Sequence, residues 1–599
     1  MKLLWLVAAA GGAGLAAGLA PPGALFLGID LSTQSCTAVV VDARLDVVHR
    51  HSVNFDERFP EYGTESGYHA GDEGTATSPV AMWLDGLDRV LDELPESLLQ
   101  QVDAISFSGQ QHGAVYWSSE AARLLKGPQK GEDEEYIASE LTSKHRMKSV
   151  RGLRGGLRER LVPGAFALVD APIWADASTQ EQCDALEDAL GGPEEVARRT
   201  GSRAYARFTA NQMAAVAYRD QEAWARTAEV SLVSAFGPSV LCGEITPVDA
   251  SDSTGTNVGM LHDRKWGTRC TEAYGEMPGV GGVEEFRRRL GASPVPPGTE
   301  VGKVAPWVCR RFGLRGSGRT ISQPPPSVYV GAGDNPSTAA GLGLAAPGDV
   351  ALSLGTSDTF MAVSREASPR LEGHVFASCT QPGEFLALLC YANGGPSRER
   401  IKRDLLGPKA SWDEFGRALK RAPPGNDGIL GLELANAEIT PVISRTGRFF
   451  VDGDDRVLRL GDGEADPASV ACRAVVEGRF LSMRGRGAAL GVDAGGGRVL
   501  AAGGAAKSPE IVQVAADVLG APVYAADVPD AAALGAAFRA AHGAAGGGAS
   551  FDAFLTSHGA GASSLDVVAR PLHAQVYTPD VVARYLKLED DVARGKFSR

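Results

Sequence analysis

Apolar and polar positions along this chain fall into blocks that switch between strand and helix periods. "LFLGID" (25–30) and "TAVVVD" (37–42) are short, nearly continuous apolar runs separated by a hydroxyl-rich turn. They predict two buried strands folded back on each other. "DVVHRHSVNF" (46–55) predicts a further extended run. In "SPVAMWLDGLDRVLDEL", Met82, Leu84, Leu87 and Leu91 predict an amphipathic helix with Ser78 as its N-cap. "VDAISFSGQQHGAVYW" reads as a buried strand, a polar turn and a second strand. Strands interleaved with helices indicate an α/β fold.

Two stretches interrupt this pattern. Residues 126–160 run acidic and then basic, which predicts a charged surface insertion. Residues 291–327, with "ASPVPPGTEVGK" and "SQPPPSV", are proline-rich punctuation. Beyond them, "VYVGAGDNPSTAAGLGLAAPGDVALSLGTSDTFMAV" leads a strand into a Gly/Asp turn and then closes two strands around "GTSD". This repeats the opening plan of apolar strand, hydroxyl turn and apolar strand. It suggests two related lobes, each giving one polar hairpin to a shared cleft. The expected division is a leader (1–24), an N-terminal lobe (25–290), a connecting region (291–327), a C-terminal lobe (328–575) and a polar helical tail (576–599).

Composition narrows the function. Of 599 residues 44% are hydrophobic and the net charge is -14, which argues against a nucleic-acid partner. The eight cysteines contain no C-x-x-C pair, so buried free thiols are expected rather than disulfides or zinc. The first 24 residues have a lysine, an apolar run and small residues, the look of a signal peptide. A disordered leader or a misassigned start codon has the same look. A cytoplasmic location is expected, with secretory or organellar targeting left open by the leader. No later segment reads as membrane-spanning, so no membrane partner is expected; monomer and homodimer both stay open.

The candidate chemistry sits in the turns. Ser32, Thr33, Gln34 and Ser35 offer hydroxyls and backbone N–H groups to an anion. Asp30 at the entrance faces a phosphate only if a cation such as Mg²⁺ lies between. A plain hairpin capped by Asx and Ser/Thr turns has the same sequence. Gly355, Thr356 and Ser357 form a second such cradle, and no G-x-x-x-x-G-K-[ST] motif is present. In "VLAAGGAAKSPEIVQ" a strand ends at Gly503 and Gly504, and a helix starts behind Ser508 with Pro509 at N1. Asp249 and Asp252, in "TPVDASDSTGTN", are candidate bases, though acids there also form turns. Gln110, Gln111 and His112 follow a buried strand, where α/β sheets bind ligands.

In order along the chain, "GIDLSTQS", "SFSGQQHG", "APIWADASTQEQC", "TGSRAYARFTANQ", "DASDSTGTN", "GAGDNPSTAAGLG" with "SLGTSD", and "GGAAKSPEIVQVAADVLGAPV" resemble the FGGY carbohydrate kinases. The likeness is greatest to the family's eukaryotic xylulose kinases and covers residues 25 to about 543. The resemblance implies a two-lobed actin/Hsp70/hexokinase-like (ribonuclease H-like) α/β fold with a central cleft. It implies transfer of phosphate from ATP, with Mg²⁺, to a small sugar: D-xylulose, or another ketose or polyol such as D-ribulose. A non-catalytic actin-like nucleotide-binding protein is the rival of another class. Asp252 would be the base. Gln111, His112, Arg203, Asp334 and Asn335 would contact the sugar, and Asp30 would help hold Mg²⁺. Ser32, Thr33, Gln34, Ser35, Gly355, Thr356 and Ser357 would hold phosphates, and Gly503, Gly504 and Ser508 would line the adenosine pocket. Two departures stand out: Ser178 where many bacterial members have Arg, and Ala505 where the glycine run often continues.

Overall fold

The computed structural model describes residues 23–127, 156–316, 323–461, 466–561 and 565–597. Nearly all of the leader and most of the charged insertion lie outside these residues. The chain forms two compact units, and neither is continuous in sequence. The first takes residues up to Gly343, then Ala377–Pro382 and Asp530–Ala560; the second takes Leu344–Phe376, Gly383–Pro529 and Gly561–Arg599. The expected linear division therefore does not describe them: residues 328–343 and 530–560 fold with the first unit.

The first unit is built on a sheet of β1 (Leu25–Leu31), β2 (Ser35–Val41), β3 (Val47–Asn54), β4 (Val102–Gly109), β5 (Glu300–Lys303), β6 (Ser327–Tyr329) and β7 (Ala332–Gly333). The order is β5-β6-β4-β1-β2-β3, with β7 also paired to β4. The strands β1 and β2 are antiparallel with Leu31 opposite Cys36, so the turn is Ser32, Thr33, Gln34 and Ser35. Strand β4 runs parallel to β1, Asp30 beside Ser108, which brings the ends of both strands to one edge. Every residue of β1 is buried, as its unbroken apolar run requires. Helix α1 (Val80–Glu93) covers the sheet with Met82, Trp83, Leu84, Leu87 and Leu91 buried. Its N-cap is Pro79, not Ser78. Ser78 is held in a short strand and donates its hydroxyl to the Gly67 carbonyl (2.7 Å).

Helices α2 (Ala250–Ser253) and α3 (Asp334–Gly341) carry acids of the first unit. Further along the chain, a helix of residues Ala531–Ala544 packs on β1, β4 and α3. Two glycines permit this close approach. A Cβ on Gly28 would lie 1.9 Å from the Ala533 carbonyl oxygen, and one on Gly535 would lie 1.9 Å from that of Ser337.

The second unit repeats the plan. Its sheet comprises β8 (Val350–Leu354), β9 (Asp358–Ser364), β10 (His374–Ala377), β11 (Phe385–Tyr391), β12 (Val499–Ala502), β13 (Val523–Ala525) and β14 (Val567–Ala569), in the order β10-β11-β9-β8-β12-β13-β14. As β1 sits between antiparallel β2 and parallel β4, so β8 sits between antiparallel β9 and parallel β12. The pairing of Leu354 with Asp358 leaves Gly355, Thr356 and Ser357 as the turn. Helices α4 (Gly395–Ile401), α5 (Trp412–Arg421), α6 (Pro467–Ala489) and α7 (Pro509–Leu519) follow, and the chain returns through α8, the Ala531–Ala544 helix of the first unit. The expected polar tail is an amphipathic helix, α9 (Pro579–Ala593), with Tyr585, Leu588, Glu589 and Val592 buried against α6. The Arg486 guanidinium of α6 donates to the buried Glu589 carboxylate (2.7 Å). All eight cysteines are free thiols.

Candidate active site

In the first unit the strand ends gather three carboxylates. Asp30 closes β1, Asp252 lies in α2, and Asp334 opens α3 directly after β7. Asp30 is 6% exposed, accepts from the Ser32 hydroxyl, and leaves Oδ1 without a hydrogen bond. It has no ion pair among the described residues. Burial raises its pKa against the pull of Ser108 and Ser32. Asp252 is 2% exposed. Its Oδ2 accepts from the Ser234 hydroxyl (2.5 Å), and Oδ1 makes no hydrogen bond among the described residues. Burial lifts its pKa to about 6; the Ser234 hydroxyl opposes this and the Asp249 charge adds to it.

Asp334 is half-buried, the most open of the three. Burial and then the charge of Asp30, with a smaller push from Asp252, raise its pKa to about 7. The Asn335 N–H donates to its Oδ1 (2.8 Å), and the Asn335 amide donates to Gln111 Oε1 (2.9 Å). Gly333 lets Gln111 and Asp252 come close: a Cβ there would lie 2.4 Å from Gln111 Cγ and 2.7 Å from Asp252 Oδ1.

His112 completes this cluster. Its φ of 70° is a left-handed conformation rare outside glycine. The ring stacks on Phe208 with centroids 4.3 Å apart, and Thr209 donates to its carbonyl (3.1 Å). Burial, with Arg207 nearby, lowers its pKa to about 3, so the ring is neutral. Nδ1 lies 2.8 Å from the Gly255 carbonyl, which only an N–H can satisfy. Nε2 is therefore an acceptor, suited to a substrate hydroxyl. Thr33 donates to Gln110 Oε1 (3.3 Å) and accepts from the exposed Trp174 indole (2.8 Å).

Other expected contacts lie outside this cluster. Gln34 is exposed, and its carbonyl accepts the Phe55 N–H (2.8 Å). Ser35 closes the turn through its carbonyl to Ser32 N–H (3.0 Å). The Arg203 guanidinium forks onto Glu187 (3.1 and 3.2 Å). Its carbonyl accepts from the Asn257 amide (3.2 Å), which links Arg203 to the segment behind α2.

The second unit holds a pocket of about 810 Å³, the size of small-molecule sites. Gly355, Thr356, Gly504 and Ser508 are among the residues that line it. Ser508 caps α7, accepting from Ile511 N–H (3.4 Å), with Pro509 at N1. Gly503, with φ 92°, packs against the Leu354 backbone behind the lining, and Ser357 lies outside it. Sequence reasoning missed further lining residues: Trp412 and Phe415 of α5, in a T-shaped pair 5.6 Å apart, and Arg398 of α4. One local signal was available, since Ser411 and Glu414 form a full capping box in "SWDEF".

Comparison with known proteins then decides the family. The C-terminal domain model of the FGGY family of carbohydrate kinases matches residues 350–544. The chain is 37% identical over 579 residues to the xylulose kinase of Rattus norvegicus, covering 95% of this chain and 98% of that one. The chain belongs to the FGGY family of carbohydrate kinases. Xylulose kinase 2 of Arabidopsis thaliana is 35% identical, with 87% of this chain and 88% of that one covered. The crystal structure of xylulose kinase from Rhodospirillum rubrum superposes with a TM-score of 0.70 at 18% identity, covering 95% and 99%. That likeness extends the family's fold over nearly the whole chain. The FGGY model's match ends inside α8, so it spans segments of both units. Among the described residues, no helix of this carbohydrate kinase is long and apolar enough to cross a membrane.

Proposed function

We propose that this carbohydrate kinase phosphorylates D-xylulose with ATP, giving D-xylulose 5-phosphate and ADP. The observation that carries this reading is the 37% identity to a xylulose kinase along 95% of the chain. The neutral, buried His112 and the Gln111–Asn335 pair support it as a polar set matched to sugar hydroxyls. In the second unit, the Trp412/Phe415 pair, which lines one pocket with Gly504, suits a flat purine, and the Gly355–Ser357 turn suits its phosphates.

In the step itself, the 5-hydroxyl oxygen bonds to the γ-phosphorus and the bond to the β,γ-bridging oxygen breaks. A carboxylate takes the hydroxyl proton, and ADP leaves. Sequence reasoning gives that role to Asp252. Its 2% exposure and its bond to Ser234 argue against contact with a substrate, whereas half-buried Asp334 has a pKa of about 7, well matched to a base near neutral pH. We therefore assign the base to Asp334, with Asp252 as the buried charge that helps keep its proton affinity high.

Mg²⁺ is commonly held by one or two carboxylates together with substrate phosphates. The residues fit that pattern. Asp30 has a buried oxygen without a hydrogen bond, and no group of three or more acid, His or Cys side chains forms a cage among the described residues. Asp30 would hold the ion, whose chemistry is to neutralise phosphate charge.

Coupled ADP release over a panel of ketoses and polyols tests the proposal. D-Xylulose should give the highest kcat/KM. A higher value with D-ribulose would move the assignment within the family, and no stimulation by any sugar would overturn it.

A further inference from the structure

We propose that Arg398 is a positioning residue for ATP, acting by orienting one peptide of the Gly355–Ser357 turn rather than by touching phosphate. The inference rests on reading this turn as the phosphate site. Arg398 lies on α4 with its side chain only 6% exposed. Its guanidinium forks onto Asp358, Nη1 to Oδ2 at 2.8 Å and Nη2 to Oδ1 at 2.9 Å, and the Asp358 side chain is fully buried. This planar match is one that lysine cannot make.

Nη2 also donates to the Gly355 carbonyl (3.2 Å), which accepts a second bond from Gly395 N–H (2.7 Å). Two donors thus fix the direction of that carbonyl. In a planar trans peptide the following N–H points the opposite way. Pinning the Gly355 oxygen onto α4 therefore aims the Thr356 N–H away from α4, as an anion donor whose direction is set before the ligand arrives. The fit is tight. A Cβ on Gly394 would lie 2.5 Å from Asp358 Oδ1 and 2.9 Å from the Gly355 oxygen.

Arg398 lines the pocket, but its guanidinium is forked onto Asp358, whose carboxylate offsets its charge, and a further N–H is taken by Gly355. Two variants separate orientation from charge. Arg398→Lys keeps the charge and loses the fork; Asp358→Asn keeps the shape and loses the other half of the pair. ATP and adenosine binding are measured by calorimetry on each full-length variant, with KM for D-xylulose alongside. We expect ATP affinity to fall at least tenfold in both, with adenosine affinity and sugar KM within twofold of the parent. Parent-like ATP binding by Arg398→Lys overturns the proposal, because charge alone would then suffice. Equal loss of ATP and adenosine in both variants overturns it too, as the pair would then hold the whole pocket. A parent protein that binds neither ligand refutes the nucleotide reading itself, a result distinct from the other two.

Discussion

Replacing Asp252 by Asn separates catalysis from the cost of a buried charge. Burial lifts this carboxyl from 3.8 to about 6. At about 1.36 kcal/mol per unit, keeping it ionised in the folded protein costs about 3 kcal/mol. The sign follows from the folded-state value being the higher one. Its contribution to stability is fully present below about pH 4 and is lost as pH rises through 6. Asn keeps an acceptor for the Ser234 hydroxyl and carries no charge. An amide hydrogen left without a partner costs about 1 kcal/mol, so the net gain at pH 8 is about 2 kcal/mol. That gain should shrink as pH falls through 6.

The same variant removes a like charge from the surroundings of Asp334, so the acid limb of kcat/KM, expected near pH 7, should move downward. Urea unfolding of parent and variant from pH 5 to 8.5 reads the first effect, and coupled ADP release reads the second. Turnover should stay within about tenfold of the parent in Asp252→Asn and fall about 10²–10⁴-fold in Asp334→Asn. If Asp252→Asn is the inactive variant and Asp334→Asn turns over, the base is Asp252 and the exposure argument fails. A stability difference that ignores pH would show that burial does not raise the Asp252 carboxyl.

His112→Ala should raise KM for the sugar about tenfold or more, with ATP affinity unchanged, and should leave the acid limb near pH 7 in place, since the ring is already neutral. Trp412→Ala should weaken adenosine and ATP equally, by about 1–2 kcal/mol in calorimetry, because it removes one wall of the pocket and no phosphate contact. Arg486→Met should cost about 3–5 kcal/mol in unfolding measurements, because it strands the Glu589 carboxylate inside the second unit. Arg486→Met with Glu589→Leu should recover most of that loss.

What could be read from the sequence was local. The β1 and β8 hairpins and the Ser508 cap depend on residues within one turn of each other, and each stands where its pattern put it. Ser78 failed as a cap because β-pairing of residues 76–79 claims it, and its hydroxyl serves Gly67 from a distant segment. Asp252 and Asp334 looked alike as acids in polar turns. Ser234 and Gly333, far from Asp252 in sequence, decide that one is enclosed and the other open. Arg203, in a loop, looked available until Glu187 on a separate helix was seen to hold its guanidinium. The aromatic pair carries a readable cap, but nothing in "SWDEF" says that it lines a pocket with Gly504.

The shared sheet plan also hides a difference in charge that no repeat search would find. Each unit joins two antiparallel strands by a short hydroxyl turn beside a buried acid, and each places a parallel strand alongside. In the first unit that acid, Asp30, has no cation among the described residues and keeps an oxygen without a hydrogen bond. In the second, Asp358 is fully neutralised by Arg398. A buried carboxylate without a partner is costly and persists where a bound cation can offset it. A neutralised one lets the turn beside it present N–H groups to an anion with no opposing charge. The two hairpins are thus one backbone device set to opposite electrostatic ends. In the proposed reaction the first would hold a cation and the second the phosphates of ATP.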